Sequence, residues 1–277
     1  MIPQGNPDTD YSKIERIIEW GGEIVGATSG AVIGTLLGGP IGATIGAGGG
    51  LILQEVFVKA GTEFSQRVLA PRERMRVGAA TYYAIEAIKR KLEGEEHPRD
   101  DGFFEAELGF RSKADEILEG VLLKSKDAFE EKKIVHLGRF YANVAFSKEI
   151  SAERSSLFLY LFERLTFRQL CLIQVISQPH RYRLRASELS NKRIIPEAWA
   201  ALQEIYEMTR MNLVRQEIAS GGQVDLFWGL GAIAPQRLRL TSLGLDMNLY
   251  FSLNEIAKED LEIAVRYLLE DSNVELP

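Results

Sequence analysis

The hydrophobic pattern of this chain is most unusual near its start, where a run of thirty residues from Ile24 to Leu53 contains no charged side chain. Within and beside this run, glycine recurs at every fourth position. Because residues four apart lie on one face of an α-helix, the series predicts a helix with a groove free of side chains, which another helix can approach closely. The series comprises Gly22, Gly26, Gly30, Gly34, Gly38, Gly42, Gly46 and Gly50.

The sequence Gly38-Gly39-Pro40 interrupts this run near its middle. Proline suits the first turn of a helix but breaks a helix interior, and paired glycines ease a tight turn. We therefore predict a helical hairpin, with arms over residues 11–37 and 40–69. The charge-free part of each arm is about 14 residues, or roughly 21 Å, which is short for a bilayer core of about 30 Å. As a single transmembrane helix the run is long enough, but it contains Pro40. Insertion of one copy into a bilayer is therefore expected to be marginal.

Beyond the glycine-rich element, apolar residues recur at three- and four-residue spacings, which is the pattern of helices with one buried face. The pattern predicts helices over residues 77–92, from Ser112 through Phe129, and from Ile134 to Phe146. An acidic loop is expected from Gly94 to Gly102. This middle region is therefore predicted to be a helical bundle.

A cluster of arginines directly follows the glycine-rich element, at Arg67, Arg72, Arg74 and Arg76. Such a cluster can contact anionic lipid headgroups and keep this side of a membrane protein in the cytoplasm. The same residues also suit a solvated helix start in which Glu73 is a partner. The sequence leaves both interpretations open.

In the C-terminal part, Thr166 and Gln169 form a capping box, and a second helix is predicted from Pro196 to Arg210. An extended run around Leu213 and an alternating run over residues 237–240 predict a β-hairpin, after which Thr241 starts a short helix. This order of elements, with the phrase Leu240-Thr241-Ser242-Leu243-Gly244, resembles a winged-helix domain over residues 156–253.

Together these patterns predict a mainly α protein with three regions. Residues 1–70 form the glycine-rich helical hairpin, residues 71–150 the charged helical region, and residues 151–277 a winged-helix-like domain with a small β-hairpin and a C-terminal helix.

Composition narrows the chemistry that the chain can carry. Its 277 residues are 45% hydrophobic and include 33 basic and 39 acidic side chains, for a net charge of −6. A single cysteine, Cys171, excludes a disulfide framework, and the surrounding residues suggest a small buried side chain. No phosphate-loop, HExxH or CxxC motif occurs, and His97, His136 and His180 share no motif. The polar N-terminus does not have the pattern of a secretory signal. We expect no catalytic residue, cofactor or metal site, and hence no enzyme.

The sequence favours a protein over nucleic acid as the partner of the C-terminal domain. The predicted recognition helix carries Glu197, Glu204 and Glu207 against Arg210, which is the wrong sign for a phosphate-lined groove. Basic residues outside that helix could still contact phosphates, namely Arg181, Arg183, Arg185, Lys192, Arg193, Arg237 and Arg239. A protein-interaction or dimerisation role fits better.

The four-residue glycine series resembles the glycine-zipper segments of membrane-inserting and pore-forming proteins, over residues 21–54. The resemblance implies a homo-oligomer that contacts lipid. The favoured interpretation is a non-enzymatic, membrane-associated protein of bacterial type, mostly cytosolic, that acts as a regulated membrane-perturbing effector in a toxin or defence role and has a protein-interaction domain. The alternatives are a soluble DNA-binding winged-helix regulator that oligomerises through the hairpin, and a hairpin buried in a soluble fold.

Overall fold

The computed structural model describes residues 49–65, 67–106, 108–187, 193–217, 232–272 and 274. In these residues the protein is mainly α-helical with one small antiparallel sheet, which confirms the predicted fold class. Most of the glycine-rich hairpin lies outside the described residues, as do residues 218–231 between the two predicted strands. The chain divides after Glu163 into two compact units.

The first unit is built from helices that begin where local sequence signals place them. Pro71 occupies the first turn of its helix, and Ser112 accepts a hydrogen bond from the Asp115 amide at 3.1 Å. This cap satisfies one of the free amides of a helix start. The helices are α1 (Gly49–Ser65), α2 (Pro71–Glu93), α3 (Lys113–Asp127), α4 (Ile134–Ala145) and α5 (Ala152–Arg164).

The core of the first unit lies where α2 packs against α3 and α4. At Gly138 on α4, a Cβ atom would lie 2.6 Å from the carbonyl oxygen of Ala80 on α2. Only glycine permits this separation, so the two helix backbones are in direct contact there. Further along α4, Phe140 packs edge-to-face on Phe158 of α5, with ring centroids 6.5 Å apart.

The helix predicted from Ser112 through Phe129 is shorter than expected, because α3 ends at Asp127. Ala128 has extended backbone angles, and a short 3-10 turn at Glu131–Lys133 then leads into α4. Arg76 holds this connection by donating to the Lys126 carbonyl at 3.3 Å and to Glu131 at 3.2 Å. Phe129 therefore leaves the helix and is 82% exposed.

The second unit centres on a buried helix, α6 (Phe167–Ser177), which packs against the three α-helices that follow it. Its predicted capping box is present, because the Thr166 hydroxyl accepts from the Gln169 amide at 3.1 Å and the Gln169 side chain accepts from the Thr166 amide at 2.8 Å. The other elements are α7 (Pro196–Arg210), β1 (Val214–Gln216), β2 (Leu238–Leu240), α8 (Ser242–Tyr250) and α9 (Lys258–Val265).

Strands β1 and β2 are antiparallel, with Val214 opposite Leu240 and Gln216 opposite Leu238. Thr241 follows directly and caps α8 by accepting from the Gly244 amide at 3.1 Å. A Cβ at Gly244 would lie only 2.1 Å from the Leu213 carbonyl oxygen. Two residues of the sequence Leu240-Thr241-Ser242-Leu243-Gly244 therefore have clear structural roles. Thr241 caps α8, and Gly244 allows the backbone of α8 to lie close to the Leu213 carbonyl.

The C-terminal segment is fixed along an extended stretch between α6 and α7. Leu184 forms a bridge with Leu269, and the Arg185 amide donates to the Leu268 carbonyl at 2.8 Å. On the other side, the Arg185 carbonyl accepts from the Gln236 amide at 3.0 Å. The chain end thereby becomes part of the second unit.

Candidate functional site

The described part of the glycine-rich element is the start of α1, which contains Gly50 as its second residue. The other seven glycines of the series, Gly22, Gly26, Gly30, Gly34, Gly38, Gly42 and Gly46, lie outside the described residues. The predicted second arm, residues 40–69, thus contains a helix that ends at Ser65.

One stripe of α1 is buried, and it begins inside the charge-free run. Leu53, Phe57, Ala60 and Phe64 are buried at spacings of three or four positions, and Val56 beside Phe57 is buried as well. The Phe57 ring packs edge-to-face against the fully buried Tyr141 of α4, with centroids 5.4 Å apart. The end of the glycine-rich element therefore packs on the helical bundle. The predicted boundary between residues 1–70 and 71–150 falls between α1 and the helices on which α1 packs.

An ion pair fixes α1 beside this apolar contact. The Lys59 Nζ atom lies 2.5 Å from Oδ2 of Asp115, the residue whose amide is capped by Ser112. The side chain of Asp115 is 6% exposed, whereas that of Lys59 is 45% exposed. A buried carboxylate needs a partner, because an isolated ion in a low-dielectric interior is strongly destabilised.

A second set of ion pairs continues past the end of α1. Arg111 contacts Glu63 at 3.0 Å and Glu119 at 2.6 Å, and Arg67 pairs with the same Glu119 carboxylate. These side chains are between about one quarter and two fifths exposed. The chain of charges connects α1, the loop before α3 and α3 itself. We call Lys59, Asp115 and this chain the α1 seat.

The remaining arginines of the predicted cluster lie at the start of α2. Arg72 and Arg76 both bind Glu131. Burial opposes ionisation of Glu131, but the hydrogen bonds from Arg72 and Arg76 outweigh it and hold the pKa of this carboxyl below its usual range. Arg74 is exposed. At the start of α2, two arginines of the cluster, Arg72 and Arg76, are therefore paired with Glu131, and Arg74 faces solvent.

The basic residues between α6 and α7 have partners within the second unit. Arg181 donates to the Gln178 side chain at 3.1 Å, and Arg183 approaches Glu270 at 3.4 Å. Arg185 is 9% exposed and donates to the Ser272 carbonyl at 2.5 Å, so it fastens the C-terminal segment.

The other basic residues predicted as phosphate contacts differ from one another in pairing and exposure. Arg239 pairs with Glu217 at 3.0 Å across the ends of the two strands, and Arg237 is half-buried beside it. Arg193 is exposed, and Lys192 lies outside the described residues. Of the predicted basic residues, Arg181, Arg183, Arg185 and Arg239 therefore have partners within the second unit.

The outward face of α7 is acidic and carries one aromatic side chain. Trp199 is 39% exposed and Glu197 is exposed, while Glu204 pairs with Arg168 at 2.6 Å. The Glu204 carbonyl also accepts from the Gln169 side chain at 3.2 Å, which ties α7 to the start of α6. An exposed tryptophan is typical of a surface that binds protein, because aromatic side chains are enriched at protein interfaces.

Cys171, which the sequence predicted to be a small buried side chain, is buried, and His136 is buried as well. In the described part of the chain, no three His, Cys, Asp or Glu side chains are grouped as metal ligands would be. Across the same residues, no helix has the length and apolar character needed to cross a bilayer. The α1 seat was not predicted, because the pairs that join Lys59, Glu63 and Arg67 to the rest of the unit are 48 to 56 positions apart in the sequence.

Comparisons with protein families, with curated proteins and with solved structures find no match for this chain.

Proposed function

We propose that this protein is a non-enzymatic, oligomerising, membrane-associated protein, mostly cytosolic at the cytoplasmic membrane, whose glycine-rich segment perturbs the bilayer in a regulated way. A bacterial toxin or defence effector would have this layout. The observation that carries the proposal is the eight-glycine series in a thirty-residue run without charge, from Ile24 to Leu53. A groove of this kind packs helices together where lipid provides no hydrophobic driving force.

The α1 seat supports the regulated part of the proposal. Leu53, at the end of the thirty-residue run without charge, is buried within α1. The segment suited to lipid is thus joined without a linker to a helix that is packed on a charged bundle. A change in the bundle that moves α1 would also move residues 49–53, which belong both to α1 and to the uncharged run.

In this proposal the second unit recruits or responds to a protein partner through a winged-helix-like arrangement. The order of α6, α7, β1 and β2 agrees with the helices and β-hairpin on which the sequence resemblance was based, and this order supports the proposal. The acidic face of α7 with the exposed Trp199 favours a protein over a nucleic acid.

Fractionation after expression tests the proposal. The full chain is expected in the membrane fraction, extractable by detergent but not by salt, and crosslinking is expected to give oligomers. Gly34→Leu fills the groove and should abolish those oligomers, whereas Ile33→Leu, one position off the series, should leave them. A chain found wholly in the soluble fraction, with unchanged oligomers in Gly34→Leu, would contradict the proposal.

The second candidate function is a soluble DNA-binding regulator that oligomerises through the glycine-rich hairpin. The two antiparallel strands directly after α7 and the exposed Arg193 just before it favour this alternative. It requires the soluble chain to be retained on heparin or duplex DNA and released by salt. Retention of the soluble chain, without membrane association, would decide for it.

A further inference from the structure

A pocket of about 130 Å³ lies beside the end of α3 in the first unit. Its apolar lining includes Leu137 of α4 and Phe162 of α5, both of which are buried. Ala128 and Phe129, which follow α3, complete the apolar lining. Because an engineered apolar cavity of about 150 Å³ binds benzene, this pocket has room for a ligand of roughly that size.

Lys133, the last residue of the 3-10 turn before α4, lines this pocket although it is only 6% exposed. Its Nζ atom lies 5.1 Å from the centre of the Phe162 ring and 3.4 Å from the carbonyl oxygen of Glu163. A lysine normally extends its ammonium group into water, because transfer of a charge into an apolar environment is costly. The amino group of Lys133 is instead held at the pocket wall, beside an aromatic ring.

The surroundings of Lys133 favour the neutral form of its amine. Burial lowers the pKa of Lys133 below the usual range of a lysine, and the charges of Glu130 and Glu163 oppose this shift without reversing it. Lys124 binds the Glu163 carboxylate at 2.6 Å. The remaining charged residue of the lining is Asp127. Lys133 is therefore a better nucleophile at neutral pH than an ordinary lysine, since only the neutral amine has a free electron pair.

The same charges disfavour an anionic ligand. Three lining residues, Asp127, Glu130 and Glu163, are acidic, and they outnumber the two lysines of the pocket. An uncharged ligand avoids repulsion by these carboxylates. A desolvated lysine beside apolar walls is the arrangement that activates this residue toward carbonyl compounds.

From this geometry we infer that the pocket is a covalent site for a small apolar aldehyde, which Lys133 captures as an imine. The neutral Nζ atom adds to the carbonyl carbon, and both amine protons then leave with the carbonyl oxygen as one molecule of water. The step consumes no oxidant or reductant. The apolar group of the aldehyde lies against Phe162 and Leu137, where its burial stabilises the adduct. The inference is independent of membrane association and of the glycine series.

Reductive trapping of the imine on the full chain tests this site. Limiting benzaldehyde with cyanoborohydride leaves a stable benzyl group on each lysine that reacts, and peptide mass spectrometry locates it. Lys133 should be modified several-fold faster than Lys258, whose side chain is 65% exposed and which serves as the internal control. The ratio of the two rates should rise as the pH falls from about 10 to about 7, because a buried amine stays neutral to lower pH.

A competitor and a pair of variants separate binding in the pocket from general reactivity. Benzyl alcohol has the same ring without a carbonyl group, so it should slow the modification of Lys133 and not that of Lys258. Lys133→Arg should lose the adduct at residue 133, whereas Lys258→Arg should leave that adduct unchanged.

The decisive result is read on the parent chain, so it does not depend on the folding of either variant. Modification of Lys133 no faster than that of Lys258 across the pH range would overturn the inference. Fast modification of Lys133 that benzyl alcohol does not slow would also overturn it, because the pocket would then not bind the apolar group.

Discussion

Lys59 on α1 and Asp115 on α3 form an asymmetric ion pair, 2.5 Å long, in which the carboxylate is nearly buried and the lysine is about half exposed. The asymmetry matters because the two partners are not equivalent when one is removed. A half-exposed lysine can be hydrated by rotation of its side chain, whereas a carboxylate at 6% exposure cannot. The pair therefore fixes α1 mainly because the buried carboxylate of Asp115 requires a charged partner. The half-exposed Lys59 requires one less.

Lys59→Met should for this reason destabilise the protein more than Asp115→Asn does. The methionine keeps the apolar stem but leaves a buried carboxylate unpaired, which is expected to lower the free energy of unfolding by about 2 kcal/mol. Asp115→Asn leaves only a half-exposed lysine without its partner and should cost less than about 1 kcal/mol. Urea unfolding of the two variants measures the difference. Equal losses would mean that Asp115 is not held by Lys59 alone.

Removal of α1 should cost far more than removal of the residues before it. Phe57 and Phe64 are each 1% exposed, and burial of such side chains stabilises by about 1.5–3 kcal/mol each. A fragment of residues 49–277 is expected to unfold cooperatively, while a fragment of residues 71–277 should lose most of its stability and expose apolar surface. Calorimetry and binding of a hydrophobic dye compare the fragments. A 71–277 fragment that melts at the same temperature as 49–277 would show that α1 is not part of the core.

Gly138→Ala should disrupt the contact between α2 and α4. The added methyl group would lie 2.6 Å from the Ala80 carbonyl oxygen and 2.8 Å from the Ala84 amide nitrogen, and backbone atoms cannot rotate away. Overpacking of this kind costs about 1–3 kcal/mol. Gly120→Ala on α3 is the matched control, because its methyl group would meet only the movable Cδ1 of Leu159 at 3.0 Å. The control should remain within about 0.5 kcal/mol of the parent, since alanine favours helix. Similar losses in both variants would argue against a close backbone contact at Gly138.

Tyr141→Phe should stabilise the first unit slightly. The hydroxyl of Tyr141 is buried and has no hydrogen-bond partner among the described residues. Burial, and then the charge of Asp115, raise the pKa of this phenol above its usual range, so it stays neutral. Removal of an unsatisfied buried hydroxyl is expected to raise the free energy of unfolding by about 1 kcal/mol. The half-buried Tyr206 provides the control, because Tyr206→Phe should have little effect. A destabilised Tyr141→Phe protein would indicate a buried water or partner at that hydroxyl.

Local signals in the sequence were sufficient for most helix boundaries. The helix predicted from Pro196 to Arg210 has those bounds, because proline starts it and a turn with Asn212 at a φ of 57° follows it. The caps at Ser112 and Thr166 were also predicted correctly, since each depends on residues three apart. Phe129 was placed wrongly in a helix, because the backbone turn at Ala128 has no proline or glycine to mark it.

Contacts between distant residues could not be predicted in this way. An isolated glycine such as Gly138 does not reveal that Ala80 lies opposite, and nothing local joins Lys59 to Asp115. Arg183 was considered for phosphate contact, yet its acidic neighbour Glu270 is 87 positions away. The sequence showed the apolar spacing of α1 at Phe57 and Phe64. It did not show which residues α1 packs on, because those contacts depend on the fold of the whole unit.

The most direct test of the account is leakage from liposomes caused by the full chain and by Ile33→Arg. Ile33 lies within the charge-free run but outside the glycine series, and an arginine at the centre of a membrane helix costs about 2.5–3.5 kcal/mol. Because insertion of this segment is expected to be marginal, we predict that the parent releases vesicle contents and that Ile33→Arg does not, while both melt at the same temperature in solution. A parent that leaves vesicles intact, together with an Ile33→Arg variant that melts at a lower temperature, would instead show that the segment is packed inside a soluble fold and would contradict the account.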